Sequence, residues 1–281
     1  MPSFYTFPKL QTLIFFVLAF FITSCTGSDK DVTAEDLLNN ARKLEKQDPQ
    51  AALLALDSIH ETFPRDIKSR RQADTIEWRI ELAQATISLP YVDSMLHVDS
   101  ARLEGLKENF NYQPASDYQD IGTWEHRSFR TENNTHRNYL KPTVNDYGDI
   151  VLISFYVGRE AVHTWMTISI DSMERHTGAA DDVSSFNDGG TFHEFLSFND
   201  NLEDGMTAYI SDTEGEKVTV TLHGDSEHSY DMNSRDRNAF RQTRELAVLL
   251  HEIHEFAIQQ TKFSRQIELL NQRLYNTVEH D

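Results

Sequence analysis

The sequence predicts an α+β protein in which a long antiparallel helical stalk, coiled-coil-like in its packing, carries an inserted antiparallel β-sheet head. Three observations lead there. Leu246, Leu249, Ile253, Phe256, Phe263, Ile267, Leu270 and Leu274 are spaced alternately by three and four, with Gln260 in the one remaining slot, which is the repeat of a coiled-coil seam. Between residues 148 and 223 the apolar period shortens to two, in segments rich in β-branched and aromatic residues. The flanking helical segments also match in length: at 1.5 Å per residue, residues 66–111 would span about 69 Å and residues 236–278 about 64 Å.

The elements follow in chain order. Residues 34–112 form a helical region that begins with two short helices. Thr33 caps the first, Glu35 and Asp36 favour its positive end, and Leu37, Leu38, Ala41 and Leu44 form its stripe. Asp48-Pro49 ends that helix and starts the next, whose stripe is Ala51, Ala52, Ala55, Leu56 and Ile59. The pair resembles one tetratricopeptide-type unit. A single unit cannot bury its own face, so it must dock on another element.

A longer helix then carries Ile76, Ile80, Ala83 and Ile87 on one stripe. Pro90 is expected to kink or break it. The continuation carries Tyr91, Met95, Leu96, Leu103, Leu106 and Phe110, and it ends in the non-helical NYQPASD.

Residues 118–232 read as an antiparallel β domain. Its expected strands are Gly148–Val157, Thr164–Ile170, Thr191–Phe198, Met206–Ser211 and Lys217–His223, with an edge strand at Trp124–Arg130. Gly, Asn and Asp clusters separate them, and such short links favour antiparallel pairing. Residues 233–278 read as one long helix packing on 66–111. In its seam, Gln260 needs a polar partner on the 66–111 helices or on a second chain.

The amino terminus supplies a location. Residues 13–22 (LIFFVLAFFI) form an uncharged run too short to span a bilayer, but of the length of a signal-peptide apolar region. It leads into Ile22-Thr23-Ser24-Cys25, and Cys25 is the only cysteine of the chain. This tetrad resembles the lipobox of bacterial lipoprotein precursors. The resemblance implies a signal peptide over 1–24, diacylation of the Cys25 sulfur by fatty chains such as palmitate, and a lipidated flexible tether over 25–33. More than one acyl chain is required because a single chain anchors only marginally. With Thr26 after the cysteine, the resemblance implies an outer-membrane lipoprotein. Asp29 and Asp31 hint at export to the cell surface rather than the periplasmic face.

The formal net charge is −19, and removing the leader takes away only Lys9. Such a balance disfavours nucleic acid and anionic membrane surfaces as partners. Asp-Ser/Thr triplets recur at Asp57-Ser58-Ile59, Asp74-Thr75-Ile76, Asp93-Ser94-Met95, Asp99-Ser100-Ala101 and Asp171-Ser172-Met173. They resemble the O-glycosylation acceptor motif of extracytoplasmic Gram-negative proteins. Ser94, Ser100 and Ser172 are the acceptor candidates, the first two because they lie near the expected helix break.

Several patterns point to chemistry and fall short of it. His251-Glu252-Ile253-His254-Glu255 spaces its histidines by three, where a zinc pair on one helical face needs four. Gly224-Asp225-Ser226 resembles the nucleophile block of GDSL-type hydrolases, but it follows the last strand rather than the first. Asp200–Gly205 departs from a calcium loop at Leu202 and Ser211 and reads as a hairpin turn. Asp181, Asp182 and Asp188 could hold calcium loosely. No metal site, catalytic residue or cofactor is expected.

The functional expectation is a non-catalytic, lipid-anchored envelope protein that binds a protein or glycan partner through its β head. One alternative is an envelope hydrolase built on His193, Glu194 and His223. Another is a structural subunit that oligomerises through 246–274.

Overall fold

The structure is a computed structural model, and it describes residues 32–116, 120–203, 205–213 and 215–279. Cys25, the signal segment and most of the tether lie outside the described residues. These residues form an α+β protein with two antiparallel sheets. They fall into two compact units, divided in chain order between Ile80 and Glu81. Among them, no helix is long and apolar enough to cross a membrane.

The first unit contains helix α1 (Ala34–Leu44), helix α2 (Pro49–Thr62) and the start of helix α3 (Ile67–Lys107). Thr33 caps α1 as expected: its hydroxyl accepts from the Asp36 N–H at 3.2 Å, and the Asp36 carboxylate accepts from the Thr33 N–H at 3.1 Å. Asp48 caps α2 through the Ala51 N–H, with Pro49 in the first turn. The expected docking partner is α3. Ala73, Ile76 and Ile80 join Leu38, Ala41, Ala52, Leu56 and Ile59 in one buried cluster.

The second unit contains the rest of α3, both sheets and helix α6 (Ser234–Glu279). Its six-stranded sheet has the order β1 (Phe110–Gln113), β2 (Thr123–His126), β3 (Tyr139–Asn145), β4 (Ile150–Gly158), β8 (Thr191–Phe198), β7 (Asp182–Asp188). Its four-stranded sheet has the order β10 (His228–Asp231), β9 (Val218–Gly224), β5 (His163–Ile170), β6 (Met173–His176). The core draws Leu152, Leu196 and Phe198 from the first sheet and Met166, Ile168, Val220 and Leu222 from the second. Helix α5 (Met206–Ser211) adds Met206 and Ile210, and α6 adds Ala239 and Phe240. A short helix α4 (Asp200–Glu203) precedes α5.

Several sequence expectations need correction. Met206–Ser211 is helical, because Met206 and Ile210, one turn apart, both enter the core. Residues 200–203 are helical as well, not a hairpin turn. Phe110 begins a strand rather than ending a helix. Of Trp124–Arg130, only Trp124–His126 are extended, and β2 lies inside the sheet between β1 and β3.

Helix α3 runs unbroken through Pro90. The missing N–H deprives only the Thr86 carbonyl, and both residues are exposed to water there. Ser94 and Ser100 thus sit on a continuous helix, not at a break. The stripe of α3 also differs from expectation: Ile87 and Tyr91 are 77% and 63% exposed, while Ala85, Val92, Asp99 and Leu103 are buried.

Helix α6 matches its expected extent, and Leu246, Leu249 and Leu270 of the expected seam are buried. Gln260 donates to Asp93 on α3 at 2.8 Å, and Arg102 faces Glu245 at 3.7 Å. Gln260 therefore has its polar partner on the 66–111 helix. As the α3 residue number falls from 102 to 93, the α6 number rises from 245 to 260, so the two segments run antiparallel.

Candidate functional site

Residues along a strand alternate between its two faces, so each sheet has an inner and an outer side. In β4 the inner side carries Leu152, Ser154 and Tyr156, all buried, and the outer side carries Ile153, Phe155 and Val157, all partly exposed. In β8 the inner residues are Phe192, Glu194, Leu196 and Phe198, and the outer ones are His193, Phe195 and Ser197.

The outer side of the six-stranded sheet carries a row of rings. Tyr139 stacks on Phe155 at 4.4 Å, Phe155 meets Phe195 edge-on at 4.9 Å, Phe195 lies 5.7 Å from Phe186, and Phe186 stacks on His193 at 4.8 Å. Registry explains the row, because Tyr139↔Phe155, Phe155↔Phe195 and Phe186↔His193 are direct cross-strand partners. The row starts in the interior: Phe129 covers Tyr139, and burial holds the Tyr139 phenol well above its usual pKa. It ends in solvent, with Phe186 50% exposed.

A groove of about 200 Å³ follows this row. Phe155, Phe195 and Phe186 line it. Its rim is polar: Thr135 and His136 stand on one side, and Asp188 and Thr191 of the β7–β8 hairpin stand on the other. Asn134, also in the wall, is buried with its amide already committed. It donates to the Ser128 and Arg130 carbonyls and accepts from Arg137. Arg137 in turn grips Asp236, in the first turn of α6, through two hydrogen bonds, one of them at 2.9 Å. The 131–136 wall is therefore anchored to the long helix.

The inner side holds a different constellation. His163 and Glu194 are fully buried and joined twice: His163 Nδ1 lies 2.6 Å from Glu194 Oε2, and the His163 main-chain N–H donates to Oε1 at 2.9 Å. Tyr156 packs edge-on to His163 at 4.7 Å and to His228 at 5.0 Å. Asn138 accepts from the Val157 N–H, which directs its NH₂ at His228 Nε2, 2.6 Å away. His228 is therefore held neutral with a bare Nε2. Burial is the first cause of its lowered pKa, and neighbouring His163 is the second. His163 and Glu194 are sealed between the sheets, whereas Asn138 and His228 are only partly buried.

The structure does not bring the three residues of the hydrolase alternative together. His193 and Glu194 are successive in β8 and so face opposite sides. His223 lies on the outer face of the other sheet, stacked on Trp165 at 3.8 Å and hydrogen-bonded to Thr167 and Glu227. The partner of Glu194 is His163, which pattern reading passes over because a bulge between His163 and Trp165 shifts it out of alternation.

The other sequence candidates have ordinary places in the fold. His251 is exposed against the Gly148 turn, and His254 packs on Tyr147. Gly224-Asp225-Ser226 ends β9, where the Asp225 N–H donates to the Val162 carbonyl. Asp182 and Asp188 lie at opposite ends of β7, about 20 Å apart at 3.3 Å per residue, so they cannot share one calcium ion. Ser94, Ser100 and Ser172 are all exposed. Ser172 sits in the tight β5–β6 turn beside Asp171, whose φ is +53°. In the first unit, His60, Asp74 and Glu77 converge. There, however, His60 already accepts from Arg70 at Nδ1, and its Nε2 faces Asp74 at 3.3 Å. The imidazole bridges a cation and an anion without needing a metal.

A wider depression of about 530 Å³ lies along α6. It is lined largely by charged residues, including Arg102, Asp212, Arg244 and Glu245, which pair as Arg102–Glu245 and Arg244–Asp212. Four of its six charged groups are thus engaged with one another, in contrast to the aromatic groove. No family model, curated protein or solved structure matches this chain.

Proposed function

We propose that the chain is a lipid-anchored outer-membrane protein that binds a neutral saccharide, without transforming it, in the aromatic groove of its β domain. The observation that carries this reading is the row Phe155–Phe195–Phe186–His193, partly exposed and opening to solvent at Phe186, beneath a rim of His136, Asp188 and Thr191. The half-exposed Phe186 and the partly exposed rings beside it receive the apolar C–H faces of a sugar ring, and imidazole, carboxylate and hydroxyl groups at the rim pair with its hydroxyls. The rim offers no cluster of cations for an anionic ligand.

Membrane attachment is proposed through acylated Cys25, on the lipobox resemblance of Ile22–Cys25. The stalk reading is supported by the antiparallel run of α3 beside α6 through Arg102–Glu245 and Asp93–Gln260. Exposed hydroxyls at Ser94, Ser100 and Ser172 support their candidacy as glycan acceptors.

Two experiments test the parts separately. Labelled fatty acid should enter the native protein, and Cys25→Ser should abolish incorporation; undiminished label in the variant removes the anchor. Calorimetric titration of the full chain against soluble neutral oligosaccharides should show saturable binding that Phe186→Ala weakens at least tenfold. Stacking of a ligand ring on an aromatic side chain is worth about 1–3 kcal/mol where nucleic-acid bases are bound, and a tenfold loss lies at the lower end of that scale. Equal binding by wild type and variant would remove the groove from the account.

A further inference from the structure

Strand β7 closes one end of the six-stranded sheet and pairs only with β8 among the described strands. All seven of its residues are exposed. The turn that follows it is Gly189-Gly190, with φ of +55° and +87°. Positive φ at both central positions is the two-residue hairpin turn whose twist suits the flanking strands. Its closing pair, Asp188↔Thr191, is hydrogen-bonded through the main chain. Antiparallel alternation then turns the main-chain groups of Asp188, Phe186, Ser184 and Asp182 towards β8, and those of Asn187, Ser185 and Val183 outwards.

Three residues therefore present N–H and C=O groups to solvent in one straight line. The other sheet ends, β1, β6 and β10, are four residues each. Natural edges are guarded by charged side chains, lysine above all, by proline, by bulges or by shortness, and the only charges of β7 are Asp182 and Asp188 at its two ends. The sequence of β7, DVSSFND, contains no lysine or proline, and its pairing with β8 is regular. Val183 and Phe186 are 41% and 50% exposed along it.

We infer that β7 is a strand-addition site for an extended segment of another protein, with basic residues flanking an alternating apolar centre. Main-chain groups supply the attachment, and side-chain neighbours select the partner. The selection is by charge, since Asp182 and Asp188 bracket the strand in a chain of net charge −19. A second copy of this chain fits poorly. Antiparallel pairing centred on Ser185 would set Asp182 opposite Asp188 at both ends, and parallel pairing would set each aspartate beside its own copy. Like charges in direct register destabilise a pair.

The test uses the full chain and the peptide Lys-Val-Thr-Val-Thr-Val-Lys, read by amide hydrogen exchange and by titration. Expected are saturable binding and slowed exchange at Val183, Ser185 and Asn187. Methylating alternate peptide nitrogens should weaken binding at least tenfold, as should Ser185→Pro, whose missing N–H points away from β8. A double Asp182→Lys, Asp188→Lys variant preserves the strand and should reverse the preference towards a peptide ended by glutamates. Absence of binding, protection elsewhere than at β7, equal binding of the methylated peptide, or self-association through β7 would each overturn the inference. Ser185→Pro separates this site from the saccharide groove, because it should weaken peptide binding and leave saccharide affinity unchanged, whereas Phe186→Ala should weaken saccharide binding.

Discussion

The two sheets share one interior and differ on their outer faces. The four-stranded sheet closes its outer face upon itself: Thr221 pairs with Ser229, Thr219 donates to Asp231, Thr167 bonds His223, and Ser169 donates to Glu174. Its one large outer aromatic, Trp165, is stacked on His223, with His176 edge-on at 6.3 Å on a neighbouring strand. The six-stranded sheet leaves Phe186 half exposed on its outer face and ends in a seven-residue edge. A face that has only to be soluble can satisfy its polar groups locally. The cross-strand ring pairs of the six-stranded sheet contribute to its folding too, but the exposed half of Phe186 and the rim above it are what we propose a ligand uses.

The largest expected effect tests the shared interior. Glu194→Ala leaves the buried His163 ring and main-chain N–H without their acceptor, and each buried polar group left unsatisfied costs about 1–3 kcal/mol. Urea unfolding should show that loss as a single transition reported equally by both sheets. Two separate transitions would mean that the sheets are independent and that comparing their outer faces has no common reference.

A smaller effect separates the outer faces. Trp165→Ala should cost up to about 1 kcal/mol through lost cross-strand stacking. Phe186→Ala loses the stacking on His193 from a more exposed ring, so it should cost less than Trp165→Ala while weakening saccharide binding at least tenfold. If Phe186→Ala proved the more destabilising, the open row would be structural.

The smallest effect is on pH dependence. His228 and His126 both have folded pKa values lowered first by burial, the latter despite its bond to Gln242. Above the free histidine value of about 6.5 both are neutral folded and unfolded, and they contribute no pH dependence. Below it the unfolded chain takes up protons that the folded chain refuses, so stability falls as pH drops through that value. Thermal melts between pH 7 and 5 should show the fall, and His228→Gln should flatten part of it.

Legibility in the sequence followed the strength of period and the absence of exceptions. Helix α6 was readable almost to the residue because its seam repeats over several heptads. Helix α3 was readable as a helix but not by face, because Ala85 and Asp99 occupy inward positions while Ile87 and Tyr91 point out. Strand β3 was hidden by Lys141 and Pro142. The lysine is covered by its pairing with Glu125 and its position over the Phe155 ring. The proline is tolerated because β2 pairs only with Thr143–Asn145, leaving one side of β3 unpartnered at Pro142. Strand β7 looked like an acidic loop because nothing in DVSSFND alternates. Phe186 entered the groove through cross-strand registry with His193, a long-range relation that no local pattern carries.

Saccharide bound on the outer aromatic face of the six-stranded sheet should shield the rings there from oxidation. Hydroxyl-radical footprinting of the full chain, with and without saturating neutral oligosaccharide, tests it most directly. Protection is expected at Phe155, Phe186, His193 and Phe195, with Trp165 and His223 unchanged. Protection of Trp165 and His223, or unchanged oxidation of Phe186 at saturation, would contradict it.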